Sequence, residues 1–412
     1  MQSITVGVKL DIENTVTTEP SDSVGSYSLS TAVSDIGASN QTYNGSGVRV
    51  GILEAGGVAN SYNNSELSNV NIHTNGENST STHAINVTRI LCGSNGVARG
   101  IEAAYIYGYD TTDDVIPAMN WFIDNGCNVI NNSWGIKSTN TLGTYHWLSA
   151  FFDYNVRYNG VTIVKSAGNN GNQSNHFVTP PSTGYNVIAV GNSTVNKSIV
   201  NSSAYGESSL NQRKPTLSAP GTNIYSNGES IGTGTSFSAP MVTGVIAKLM
   251  QQYPILKTYP QIVQAVLIVS STPALGQNGW DDVAGAGIVN YSQAQSAMSK
   301  YQLITNSSNQ VGKMISKITT RVTSGQRITI AFVWFANSNT TSNPGSTQAN
   351  IHTDYNLQIK NSSGSIIAVS DGLTNIEYLS FINNNFSTMQ LVINQVALKL
   401  VNATDVGAVA WY

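Results

Sequence analysis

The feature that most constrains this chain is a rhythm in its apolar residues. Between about residues 47 and 300, short apolar runs alternate with longer amphipathic ones. The runs VRVGIL, AAYIYGY, CNVINNSW, VTIVKSAG and NVIAVGN are rich in Val, Ile and Tyr and read as strands. Between them, THAINVTRILCG, DDVIPAMNWFIDNG and TYHWLSAFFDYNVRYNG have helical spacing. Asp113 or Asp114 serves as an N-cap, and Gly93, Gly126 and Gly160 as stops. Two longer helices are predicted at 236–253 and 259–272. Strands that alternate with helices lie parallel in one sheet with helices on both faces. The expected fold is therefore α/β, a doubly wound and mostly parallel sheet.

After residue 300 the rhythm changes. QRITIAFVWFA, DYNLQIKNSS, GSIIAVSD, IEYLSFIN, TMQLVINQV and VGAVAWY alternate polar with apolar residues and leave no helical stretch between them. That pattern predicts an antiparallel β-sandwich. At 412 residues the chain has room for two cores. We divide it into an N-terminal extension at 1–25, an α/β domain at 26–300 and a sandwich at 301–412, with no internal repeat.

Residues 232–244 read GTGTSFSAPMVTG. Ser236 falls where a Gly-Thr turn opens into a helix, and Pro240 is read as first-turn, where a missing N–H costs nothing. A hydroxyl at a helix start sits beside unpaired N–H groups and the positive end of the helix dipole. Those properties suit a nucleophile that must hold a developing oxyanion. They also suit a plain N-cap.

Gly234, Thr235, Ser236, Ser238, Pro240 and Gly244 together resemble the nucleophile motif of the subtilisin-like serine proteases. The likeness continues in RKPTLSAPGTNIYS, VTIVKSAGNNG, NVINNSWG and NGWDDVAGAGIVN, and it spans about residues 26–300. It implies a serine endopeptidase working through an acyl-enzyme, with Ser236 as nucleophile and the amide of Asn169 as an oxyanion donor. Otherwise Asn169 is an asparagine in a Gly-rich turn. VRVGILEAGG is similar to the strand that carries the family's triad acid, here Glu54 in place of Asp. The other reading of Glu54 is an exposed turn carboxylate. His83, in TSTHAINVT, is the candidate base; only Thr82 and His83 follow the family pattern, and Ile85 and Asn86 stand where small residues are usual. His73, His146, His176 and His352 fit less well, and His83 could instead be a helix-terminal histidine with no catalytic part. The resemblance further implies a groove in which substrate pairs as an extended strand. Ser133, Trp134 and Gly135 would line one side of its first pocket, and Ser166, Ala167 and Gly168 the other. Neither segment is charged, so an apolar or medium-sized residue is expected there.

Many relatives bind calcium in a loop after the histidine. RILCGSNGVARG has no room for that loop and no carboxylate, so no cofactor is required and that site is expected to be absent. Asp110, Asp113 and Asp114, or Asp281 and Asp282, could offer oxygen ligands elsewhere, although capping explains them as well. A net charge of −3 without a basic block argues against a nucleic-acid partner; the resemblance implies a polypeptide substrate. No apolar run is long enough to span a membrane. MQSITVGVKLDIENT has neither the basic nor the apolar region of a signal peptide. We therefore expect a processed form, secreted or at the cell surface. Cys92 and Cys127 read as buried thiols. The rival to an active protease is a weak or inert homologue that binds peptides or a partner protein.

Overall fold

The computed structural model describes residues 11–12, 25–136, 138, 140–207, 212–307, 310–338, 349–350, 353–384, 386–397 and 404–412. The expected N-terminal extension lies outside the described residues apart from 11–12 and 25.

Seven strands form the central sheet: β1 (Arg49–Ala55), β2 (Ile72–Gly76), β3 (Ala103–Tyr109), β4 (Val129–Asn132), β5 (Thr162–Ser166), β6 (Ile188–Ser193) and β7 (Leu217–Pro220). Their order is β7-β6-β5-β4-β1-β3-β2 and every pairing is parallel. The chain runs outward from β1 toward one edge, returns, and then builds the other half from β4 onward. The direction of winding thus reverses around β1, and open α/β sheets place their ligands outside the carboxyl ends of the strands at such a reversal. Glu54, Ser133 and Ser166 all lie at carboxyl ends of β1, β4 and β5.

Helices α1 (Thr82–Cys92), α2 (Val115–Asp124), α3 (Trp147–Asn159), α4 (Thr235–Gln252) and α5 (Pro260–Val269) cover the sheet. Every residue of α4 from Thr235 to Met250 is buried, because the helix runs beneath β4, β5, β6 and β7. A helix apolar on all sides belongs inside a protein. Gly160 ends α3 in the left-handed conformation, φ 66°, as its sequence position predicts. Asp114 does cap, but one turn earlier than expected. Its carboxylate accepts from the N–H groups of Asp110 and Thr111, 3.2 and 3.0 Å, ahead of a short 3-10 turn that leads into α2.

Some elements escape sequence reading, among them one edge strand and one short ribbon. Strand β2, IHTNG, is polar and lies on the sheet edge, where one row of backbone groups needs no partner. The ribbon β8 (Ile224–Ser226) and β9 (Glu229–Gly232) is too short to carry a periodic signal.

The antiparallel part contains β10 (Tyr301–Asn306), β11 (Met314–Arg321), β12 (Arg327–Trp334), β13 (Asp354–Lys360), β14 (Ile366–Ser370), β15 (Ile376–Ile382), β16 (Thr388–Ala397) and β17 (Asp405–Trp411). One sheet has the order β10-β17-β12-β15, the other β11-β16-β13-β14, giving the expected sandwich. Ile330, Phe332, Trp334 and Val409 point inward against Leu357, Ile359, Leu391 and Ile393. Their neighbours Ala331, Val333, Ala408 and Ala410 face the other way and join the α/β core, where α5 packs on β12 and β17. The first sheet is therefore buried on both sides.

Candidate active site

Strand β1 ends at Glu54-Ala55, and the two glycines that follow turn the chain sharply. Gly57 has φ +135°, and a Cβ there would lie 2.2 Å from the Ser79 carbonyl oxygen. That closeness lets Val58 and Ser81 exchange backbone hydrogen bonds with the 79–81 segment, Val58 N–H to Ser79 O at 2.8 Å and Ser81 N–H to Val58 O at 3.0 Å. The start of α1 is thereby strapped to the end of β1. His83, second residue of α1, then meets Glu54: Nδ1 to Oε2 is 2.6 Å. A carboxylate only accepts, so the proton is on Nδ1 and Nε2 is left as the basic nitrogen. Glu54 is fully buried, which overturns the reading of it as an exposed turn residue. Its Oε1 and the His83 Nε2 make no hydrogen bond among the described residues. The His83 ring lies 5.6 Å, centroid to centroid, from Phe237, the residue after Ser236.

Ser236 opens α4 one residue inside its start. Pro240 is not in the first turn as expected; the helix begins at Thr235, so Pro240 is its sixth residue. A proline there cannot donate to the carbonyl four residues back. That carbonyl is Ser236 O, and the hydroxyl of Ser133 donates to it instead, at 2.8 Å. The Ser236 hydroxyl in turn donates to Ser133 O at 3.3 Å. The helix interruption thus ties the serine to the segment after β4.

Asn169 is held by its carbonyl end. Oδ1 accepts from the Thr235 N–H at 2.9 Å and from the Thr235 hydroxyl at 3.1 Å. Its Nδ2 lies beside the turn into α4, since a Cβ at Gly234 would come within 3.3 Å of it. With φ +155°, Gly234 has the conformation that a side chain would strain.

The two predicted pocket segments follow or end the neighbouring strands β4 and β5. The loop at 178–182 bonds to both. Ile136 N–H donates to Pro180 O at 3.0 Å, Thr179 N–H to Ala167 O at 2.8 Å, and the Ser182 hydroxyl to Ser166 O at 2.6 Å. Gly168 N–H donates to the Thr235 hydroxyl at 3.2 Å, joining this wall to α4. The Trp134 side chain departs from its expected place: it is fully buried, edge-on to Tyr109 and Phe152. Its backbone, with that of Gly135, pairs antiparallel with the N-terminal strand Asp11–Ile12. Sequence reasoning missed Lys165. Its ammonium lies 2.7 Å from Ser166 O, 2.8 Å from Ser166 Oγ and 5.7 Å from the Trp134 ring centre. A lysine ending an otherwise apolar strand, VTIVK, was the available signal.

The remaining histidines sit elsewhere. His73 stacks on Tyr105 and His176 on Tyr205. His146 caps α3 with Nδ1, and burial lowers its pKa to about 4. His352 lies outside the described residues. Asn86, which breaks the expected small-residue pattern, reaches Ile231 O at 3.1 Å and accepts from Arg89 at 3.1 Å. Arg89 is buried against Glu66 at 2.7 Å, and Glu66 also accepts from Ser226. This polar network fastens α1 to the β8–β9 ribbon. Asp281 closes a turn by accepting from the N–H groups of Val283 and Ala284. Both cysteines are buried free thiols, and burial raises their pKa values.

The Subtilase family's sequence model matches residues 45–287, more than half of the chain. The chain belongs to the subtilase family. Fervidolysin from Fervidobacterium pennivorans is 30% identical over 201 residues, which cover 44% of this chain and 27% of fervidolysin. Subtilisin DY from Bacillus licheniformis is 29% identical over 236 residues, covering 52% of this chain and 81% of that protein. Among solved structures, the prenylagaramide maturation protease PagA superposes with a TM-score of 0.52 at 24% identity, over 64% of this chain and 98% of its own. The serine protease of Aeromonas sobria superposes with a TM-score of 0.51 at 12% identity, over 90% of this chain and 89% of its own. The second likeness shows that the shared fold extends beyond the subtilase core into the sandwich.

Proposed function

We propose that this subtilase is a serine endopeptidase that hydrolyses peptide bonds through Glu54, His83 and Ser236. The observation that carries the reading is the 2.6 Å contact between a fully buried Glu54 and His83, beside the helix that Ser236 opens. In the resting chain the Ser236 hydroxyl donates to Ser133 O. Rotation about its Cα–Cβ bond turns it to His83 Nε2, which takes the proton as Oγ attacks the substrate carbonyl carbon. Glu54 stabilises the imidazolium that results. Asn169 Nδ2 and the Ser236 N–H hold the oxyanion, and His83 then gives its proton to the leaving amine. Water attacks the acyl-enzyme in the reverse sense. Substrate would add a strand to Ser133–Gly135.

This reading needs no cofactor. Two of the five carboxylates considered for calcium act as caps, Asp114 ahead of α2 and Asp281 in its turn. We place the protein outside the cell or at its surface; among the described residues no helix is long and apolar enough to cross a membrane. Labelling with an active-site serine reagent, followed by intact mass, tests the triad. One adduct on the wild type, absent from Ser236→Ala and much slowed in Glu54→Ala, is expected. An unlabelled but folded wild type would instead indicate an inert, peptide-binding homologue.

A further inference from the structure

The base and the nucleophile of the proposed triad are not joined to each other in the resting chain. His83 Nε2 has no hydrogen-bond partner among the described residues, and the Ser236 hydroxyl donates to Ser133 O. Rotation of that hydroxyl meets Nε2 only if α1 is correctly set against the turn that opens α4. About two turns beyond each residue the helices pack directly: a Cβ at Gly244 would lie 3.4 Å from Leu91 O. Nearer the chemistry a polar link runs through Asn86.

Asn86 lies one turn beyond His83 on the same face of α1 and is buried. Its Nδ2 donates to Ile231 O at 3.1 Å. Ile231 belongs to β9, five residues before Ser236. The pairing of β8 with β9 shifts register there and leaves Ile231 as the extra residue of a bulge. Bulges re-aim the chain beside functional sites. The stretch from the bulge to Ser236 is tied to the turn between β7 and β8. The Thr233 hydroxyl accepts from the Asn223 N–H at 2.9 Å, and Gly234 N–H donates to Gly221 O at 2.9 Å. A displacement of Ile231 is thus passed on to the serine.

The other end of the amide is fixed as well. A guanidinium only donates, and Arg89 donates to Asn86 Oδ1 at 3.1 Å, so Nδ2 must face Ile231. Arg89 is itself held by Glu66 at 2.7 Å and by Ser226 O at 3.1 Å.

We propose that Asn86 is a positioning residue whose amide sets the separation of His83 from Ser236, and with it the rate of acylation. The proposal rests on the protease reading above. Asn86 acts through helix and ribbon and forms no pocket wall, so its loss lowers kcat, leaves KM, and does so equally for every substrate. A misplacement of about 1 Å at reacting groups costs about 10²-fold in rate.

Two variants test this. Asn86→Asp keeps an acceptor for Arg89 and removes the donor to Ile231; Asn86→Ala removes both groups without adding a charge. Each is assayed well below its melting midpoint on Ala-Ala-Leu 4-nitroanilide and on fluorescein-labelled casein. In both variants kcat should fall about 10-fold to 10²-fold with KM unchanged, and labelling by diisopropyl fluorophosphate should slow by the same factor. A purely structural residue would lower the melting temperature and leave kcat at its wild-type value. Folded variants with wild-type kcat, or with KM raised and kcat unchanged, overturn the proposal and leave the protease reading standing. If Asn86→Asp does not fold, Asn86→Ala decides; if neither folds, Asn86 is structural and the proposal falls. A wild type that neither hydrolyses these substrates nor takes the label overturns both.

Discussion

A glutamate reaches about one bond length further than the aspartate usual in this family, and at position 54 the extra methylene must be absorbed. The fit at 2.6 Å shows that the strap between Val58 and Ser79–Ser81 sets α1 at a distance suited to Glu. Shortening the side chain should therefore harm the enzyme. We expect Glu54→Asp to lower kcat/KM about 10²-fold, the scale of a 1 Å misplacement, and Glu54→Gln to lower kcat about 10⁴-fold through the wrong histidine tautomer. Steady-state kinetics on both variants, with thermal melts confirming the fold, check this. For Asn169→Ala the expected loss is about 10²–10³-fold in kcat with KM little changed; that range comes from the corresponding donor of a subtilisin, not from this geometry. Glu54, His83, Asn169 and Ser236 could all be picked out in the sequence because each sits in a short run of motif residues. The buried place of Lys165 was not legible, because its contact with the Trp134 ring forms only when different strands come together.

At the scale of elements, α1 and α4 were legible from their apolar periodicity and their glycine and serine ends. Their fastening was not. Asn86 looks like a departure from a pattern until the β8–β9 ribbon supplies the Ile231 carbonyl, and the same ribbon gives Arg89 the Ser226 carbonyl and Glu66 the Ser226 hydroxyl. Arg89 and Glu66 side chains are 3% and 1% exposed, so removing Arg89 leaves Glu66 as an uncompensated buried charge, whereas Arg89 has a second partner in Glu229 at 3.2 Å. Arg89→Met should destabilise the fold by about 3–5 kcal/mol, read from the midpoint of urea unfolding. The double variant Arg89→Met with Glu66→Leu should recover much of that loss. Pro240 teaches the same lesson. Its effect is visible only once Ser133 is found donating to the carbonyl the proline leaves open.

Over the whole molecule, the sheet β10-β17-β12-β15 serves two cores at once, which the alternating sequence of β12 did not reveal. The alanines on its outer face are small where α5 lies against them. Arg157 adds hydrogen bonds to Phe335 O at 2.5 Å and to Asp405 at 3.2 Å, and Asn186 pairs with Ala336 through both ends of its amide. A chain cut after residue 300 would expose α5, so we expect it to be recovered aggregated, as size-exclusion chromatography would show. Glu377, on β15, is fully buried, and burial raises its pKa to about 8 from an ordinary 4.5. The folded state then holds a proton that the unfolded state has lost, so this group makes stability fall as pH rises from about 4.5 to 8. Glu377→Gln should flatten that slope in melting temperature measured across the same window. The N-terminal strand on Trp134–Gly135 has a kinetic consequence of its own. In the proposed reading a substrate strand must take the backbone groups that Asp11–Ile12 hold, so a covalently tethered segment would compete for them at a local concentration on the order of millimolar, and the apparent KM would measure that contest.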